Sequence, residues 1–136
     1  MVQGDCGLCE LHDGDEVDGL TVEEVTERYW RPAFEAGKTL STDAMAPGGE
    51  SMLQFVERVG SALHALSARH AGGTVVVVTH AGPVRASFST FGGLPVQLPF
   101  AAHVTNTSLT EWSSEPATSA WRWALRSFND CWHLDA

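Results

Sequence analysis

Four consecutive valines, Val75 to Val78, constrain this chain more than any other feature. β-branched side chains suit a pleated sheet. An apolar run without polar alternation predicts a strand buried on both faces, as in a parallel sheet covered by helices. Gly72-Gly73 precedes the run, and Thr79-His80-Ala81-Gly82-Pro83-Val84-Arg85 follows it. A strand that passes through a small-residue turn into a helix is the α/β arrangement that places ligands at strand carboxyl ends. His80 then lies at that end, with the Ala81 and Gly82 amides near a helix N-terminus. Such a place attracts anions.

The rest of the chain supplies covering layers. Thr21-Val22-Glu23-Glu24 has the pattern of a capping box, and Val22, Val25, Tyr29 and Trp30 follow at helical spacing. A helix is therefore expected from Thr21 towards Arg31, ended or kinked by Pro32. Gly37 to Gly49 reads as a loop. Ser51 opens a longer helix whose apolar face is Met52, Phe55, Val56, Val59, Leu63 and Leu66, with His64 and His70 on its surface. After the valine run, Val84, Phe88 and Phe91 predict another helix, stopped by Gly92-Gly93 and Pro95. Val104 to Trp112 and Ala120 to Phe128 read as two strands, with Trp121, Trp123 and Leu125 on one face.

Composition narrows the function classes. The 136 residues fit one domain, 1–136, and 43% hydrophobic residues with five tryptophans argue for a folded core. Eight basic against seventeen acidic residues give a net charge of −9, which counts against nucleic acid or an anionic membrane as partner. No apolar run reaches membrane-spanning length and no signal pattern opens the chain, so a cytoplasmic protein is expected. Cys6-Gly7-Leu8-Cys9 is a lone CxxC. Such a pair is either redox-active or half of a zinc site that Cys131 and His133 would notionally complete. The spacing fits no standard ribbon, so the cysteines read as ordinary loop residues, and no metal or cofactor is expected.

Taken together, Pro47-Gly48-Gly49-Glu50-Ser51, Val75 to Arg85 and Gly92-Gly93-Leu94-Pro95 resemble the second half of the histidine phosphatase superfamily, which includes the phosphoglycerate mutases. Leu8-Cys9-Glu10 with Gly19-Leu20-Thr21 is similar to that family's Leu-x-Glu and the helix start after it. Asn106-Thr107-Ser108-Leu109, Phe128-Asn129-Asp130 and His133-Leu134 are similar to its closing strands. The resemblance implies an α/β fold: a truncated three-layer sandwich, mainly parallel sheet flanked by helices, with a C-terminal strand hairpin.

The resemblance also implies roles. His80 matches the histidine that binds the transferring phosphoryl group, and Glu10 the acidic proton carrier. Ala81 and Gly82 lie where the family's amides meet phosphoryl oxygens, and Asn106 and His103 are further candidates to line the site. The family's opening Arg-His-Gly, which carries the phosphorylated nucleophile, has no match here, nor does its second phosphate-binding arginine; Arg85 reads as structural. Without the family's first strand, a hydrophobic edge is left for a homodimer partner, an exchanged segment or a separate chain to cover.

Four readings stay open. The first is a phosphatase or mutase-like enzyme on small phosphate esters, impaired by the missing nucleophile. The second is a catalytically dead module that binds a small anion or a protein. In the third, a non-phosphatase enzyme uses Glu10 and His80, with His103, as an acid–base pair. In the fourth, His80 is structural.

Overall fold

A computed structural model of the chain describes residues 3–116, 118 and 122–134. Helices and a two-stranded antiparallel hairpin make up its regular structure, in an α/β arrangement. In chain order, 3₁₀ turns at Cys6–Leu8 and Asp15–Val17 lead to helix α1 (Val22–Val25). Helices α2 (Arg31–Glu35), α3 (Met52–Arg69) and α4 (Ala81–Thr90) follow, then strands β1 (Leu109–Ser114) and β2 (Trp123–Asp130), and a 3₁₀ turn at Trp132–Leu134. Among the described residues no helix is long and apolar enough to cross a membrane.

The expected capping box is present: the Glu24 N–H donates to Thr21 Oγ1 at 3.3 Å, and the Thr21 N–H donates to Glu24 Oε2 at 2.9 Å. The helix does not end at Pro32. A π turn at Thr26–Trp30 follows α1, with the Arg31 N–H reaching back to the Thr26 carbonyl, and α2 begins from it with Pro32 in its first turn. The π turn widens the coil just before Pro32, and the coil continues past a residue that has no N–H to donate.

Ser51 caps α3 as expected, accepting from the Gln54 N–H at 3.3 Å, with Gln54 Oε1 accepting the Ser51 N–H at 2.8 Å. Phe55 and Val59 of α3 join Leu8 and Ala86 in the central core, and Met52, Val56, Leu63 and Leu66 pack around them. Each such side chain contributes about 1.5–3 kcal/mol when fully buried. Helix α3 packs on α4 through Gly60, where an added Cβ would stand 3.1 Å from Thr90 Oγ1.

A second cluster ties the hairpin to α4. The Phe88 ring meets Phe128 at 5.2 Å, Trp112 at 5.8 Å and Phe100 at 6.1 Å, all edge to face, and the Trp112 indole N–H donates to Ser87 Oγ at 2.9 Å. Trp123 packs on Phe91 with centroids 4.0 Å apart. Trp121, expected on the same face, lies outside the described residues.

Two expectations about strands are corrected. The hairpin pairs Trp112 with Leu125 and Ser114 with Trp123, starting later than Val104 because Thr105 is tied sideways to Asn129: its N–H donates to Asn129 Oδ1 at 2.7 Å. The valine run, expected as a strand buried on both faces of a mainly parallel sheet, takes no strand partner among the described residues. Val76 is 84% and Val78 96% exposed. The physical reason is the lack of a strand neighbour: Val75 and Val77, at 40% and 38% exposure, are partly covered on one face, while no strand among the described residues pairs with 75–78 and the other face stays open.

Candidate functional site

The site forms where the segment after the valine run enters α4. His80 is the N-cap residue, extended at φ −104° and ψ 174°, and it is exposed. Its side chain makes no capping bond. Pro83 is buried in the first turn, where a missing N–H removes no helix bond. Thr79 Oγ1 donates to the Leu8 carbonyl at 2.6 Å, which joins this segment to the loop carrying Glu10.

Glu10 lies across the start of α4. Its Oε2 accepts the Gly82 N–H at 2.9 Å, and its Oε1 accepts the Leu11 N–H at 2.9 Å. Position 82 has to be glycine for this approach, since any Cβ there would land on the Glu10 carboxylate. The first-turn amide that would hold an external anion therefore already holds an internal one.

Arg58, on α3, fixes that loop. Its Nη1 donates to the carbonyls of Cys6 (3.0 Å), Gly7 (3.2 Å) and Cys9 (3.3 Å), and its Nη2 to the Glu10 carbonyl at 3.2 Å. Arg58 also forks onto Glu50, through Nε to Oε2 at 3.1 Å and through Nη2 to Oε1. Glu50 in turn accepts the His12 N–H at 3.0 Å, while its own N–H donates to the His12 carbonyl at 2.8 Å. Burial alone would raise the Glu50 carboxyl. The Arg58 bonds, the His12 amide and the Arg58 charge outweigh it and hold the group below the usual carboxylate range. Asp13 goes the other way: burial, then the Glu10 charge, push it up against the opposing His12.

Sequence reasoning missed Glu50 and Arg58 as parts of the site. The signal was available, because Glu50 belongs to Gly48-Gly49-Glu50-Ser51 and Arg58 follows it by eight residues, on the helix that Ser51 caps.

His103 and Asn106 are less closely bound to this centre. Both are exposed, and among the described residues no hydrogen bond links either to His80 or Glu10. Arg85 Nε donates to the Ala102 carbonyl at 2.8 Å, which places the residue before His103 beside the first turns of α4. Asn106 precedes Thr107, whose φ of 63° marks a tight turn. A cleft of about 340 Å³ opens beside the His12–Gly14 segment, and neither His80 nor Glu10 lines it. Among the described residues no three His, Cys, Asp or Glu side chains converge as a metal site. The chain's one Arg-His pair, Arg69-His70, ends α3 and does not follow a strand.

An exposed imidazole and a carboxylate meeting at one helix N-terminus can bind an anion and move a proton. The chain is similar to known proteins along most of its length. Residues 1–130 match the family profile of the histidine phosphatase superfamily, branch 1. Phosphoglycerate mutase-like protein 4 of Arabidopsis thaliana is 37% identical over 86 residues, 62% of this chain and 36% of that protein. Probable phosphoglycerate mutase GpmB of Salmonella newport (strain SL254) is 30% identical over 133 residues, 97% of this chain and 58% of that protein. Bacillus stearothermophilus YhfR superposes with a TM-score of 0.74 at 25% identity, covering 96% of this chain and 62% of that one. The mycobacterial glucosyl-3-phosphoglycerate phosphatase Rv2419c, solved as a complex with VO3, superposes with a TM-score of 0.69 at 27% identity, over 96% and 66%. The chain thus spans about a third to three fifths of the length of the two curated relatives named here.

Proposed function

Because the chain belongs to the histidine phosphatase superfamily, branch 1, we propose that residues 1–136 carry the second half of a site for small phosphate esters and are impaired in phosphoryl transfer on their own. The observation that carries this reading is the Glu10 carboxylate on the Gly82 amide, two residues from His80 at the head of α4. In the proposed site His80 and the Ala81 and Gly82 amides stabilise the phosphoryl oxygens, and Glu10 carries the proton of the leaving oxygen or attacking water. Asn106 and His103 line its rim.

The impairment follows from charge and from the missing nucleophile. A phosphate dianion needs fixed cations around it. Arg58 is committed to Glu50 and to loop carbonyls, Arg85 donates to the Ala102 carbonyl, and no Arg-His-Gly occurs in the sequence. An incoming phosphate must also displace Glu10 from the Gly82 amide. These facts favour weak anion binding over turnover, and they support a binding module as the second reading.

The exposed valine run supports a covered edge in the working assembly. Residues 75–78 would become an inner strand of a mainly parallel, three-layer sheet when a homodimer partner, an exchanged segment or a separate chain pairs with them. No nucleic acid, membrane or cofactor enters this reading.

The test is hydrolysis of an aryl phosphate by the 136-residue chain beside His80→Ala and Glu10→Gln. The expected result is no turnover above the His80→Ala background. Inorganic phosphate at millimolar concentration should shift the Ala81 and Gly82 amide resonances, and His80→Ala should remove that shift. Turnover abolished by both substitutions would overturn the impairment and turn the search for a nucleophile to His12 and His103.

A further inference from the structure

Cys6 and Cys9 bracket the turn that delivers Glu10, and the proposed function uses neither. Both thiols are free and exposed, and their sulfurs lie 2.7 Å apart. A disulfide needs about 2.05 Å, so an approach of about 0.7 Å separates the pair from bonding. The backbone holds them in this register. The Cys9 N–H donates to the Cys6 carbonyl at 3.2 Å, Asp5 Oδ1 accepts the Gly7 N–H at 2.9 Å, and Arg58 holds both cysteine carbonyls. A Cβ on Gly7 would crowd Ala62 of α3, so the turn is seated against that helix. Cys131 stands apart, its Sγ 3.5 Å from the Asn129 carbonyl.

We propose that Cys6 and Cys9 form a thiol–disulfide exchange site for small-molecule disulfides, and that its oxidation state sets the position of Glu10. The Cys9 thiol is pushed up foremost by its hydrogen bond with Cys6, and both sulfurs are open to a small disulfide. With Cys6 first, its thiolate attacks one sulfur of the small disulfide RSSR, forming a mixed disulfide and releasing RS⁻. Cys9 then gives up its proton and attacks the Cys6 sulfur, expelling the second RS⁻. The protein dithiol loses two electrons and two protons, and RSSR becomes two RSH.

The link to Glu10 is geometric. Cys9 is its neighbour in sequence, and the Arg58 guanidinium that bonds the Cys6 and Cys9 carbonyls also bonds the Glu10 carbonyl. Drawing the two sulfurs together re-aims that fork, and with it the carboxylate on Gly82. The pairing chemistry is independent of the function proposed above, while the meaning of moving Glu10 rests on it.

The chain is equilibrated in buffers of reduced and oxidised glutathione, quenched with iodoacetamide and weighed. Of its three cysteines, only Cys131 should alkylate in the oxidised form. The chain should then be lighter by two hydrogens before alkylation, with glutathione adducts below about a tenth of the total. Cys6→Ser and Cys9→Ser should each trap one glutathione on the remaining partner. No oxidation, or stable adducts as the main product of the parent chain, would overturn the exchange site. Oxidation that leaves the Leu11 and Gly82 amide resonances in place would overturn its link to Glu10. Neither readout needs turnover, so a failed phosphatase reading and a failed exchange site give different results.

Discussion

Arg58→Lys isolates what holds the Glu10 loop in place. Six acceptor atoms, the two Glu50 oxygens and four loop carbonyls, surround a guanidinium with five N–H groups. Two of these serve Glu50, so three are shared among the carbonyls of Cys6, Gly7, Cys9 and Glu10. Lysine keeps the charge but has three N–H groups on a single point; with one kept on Glu50, at least two of the four carbonyl bonds are lost. Each is worth about 0.5–1.5 kcal/mol net, which sums to about 1–3 kcal/mol. The Arg58 side chain is 29% exposed, so solvent screening favours the lower part of that range. In urea unfolding, with a slope of about 2 kcal/mol per molar, the midpoint should fall by about 0.5–1.5 M. A double-mutant cycle with Glu50→Gln separates the ion pair from the carbonyl bonds, because Arg58→Lys should still cost stability when Glu50→Gln is already in place. A midpoint that stays within about 0.15 M of the parent would refute the clamp and leave the loop's position to its packing on α3.

Four further outcomes are expected. Gly82→Ala pushes Glu10 off the amide while gaining about 1 kcal/mol of helix propensity. Its melting free energy should stay within about 1 kcal/mol of the parent while the residue-82 amide resonance moves, and a larger loss would mean that the backbone itself is displaced. Glu50 is held below its usual value, so its stabilisation is complete above pH about 4.5 and is lost as pH falls through the lower folded value. The melting advantage of the parent over Glu50→Gln should therefore shrink below that pH, and a gap that stays constant deep into acid would contradict this. Asp13 is raised, so its contribution is favourable below about 3.8 and is lost as pH rises through the folded value; Asp13→Asn should melt higher than the parent at neutral pH, with the difference vanishing in acid. Val76→Lys with Val78→Lys should cost less than about 1 kcal/mol, since both side chains face solvent, and should move sedimentation towards the monomer. Unchanged association would remove the valine edge as the self-pairing surface.

Local chemistry was the legible part of this chain. Thr21 and Glu24, Ser51 and the apolar face from Phe55 to Leu66 each depend on residues a few positions apart, and the structure places them as their spacing implies. The valine run, read as a strand buried on both faces, is exposed, because burial depends on neighbours that its own residues do not encode. Of the two outcomes expected at Pro32, an end to the helix does not occur: the coil passes through it, with an irregular π turn just before. In the site, the Glu10 carboxylate sits on the Gly82 amide, a contact that the separate motifs of the two segments do not state. The Glu50–Arg58 pair had a side-chain signature eight residues apart, but the carbonyls of Cys6, Gly7, Cys9 and Glu10 that Arg58 also holds carry none. The strand start at Val104 failed for a similar reason: Asn129, distant in sequence, takes the Thr105 amide.

The π turn at Thr26–Trp30 carries a consequence for insertions and deletions. A π turn spreads one extra residue over a wider turn, so the coil after it keeps the phase of a regular α coil. Ala33 consequently faces inward at 7% exposure while Phe34 faces out at 47%. Deleting one residue within 26–30 would close the π turn into a regular α turn and leave Ala33 inward, whereas inserting a further residue there would rotate Ala33 outward and turn Pro32 inward. A one-residue deletion at these five positions should therefore be tolerated better than a one-residue insertion.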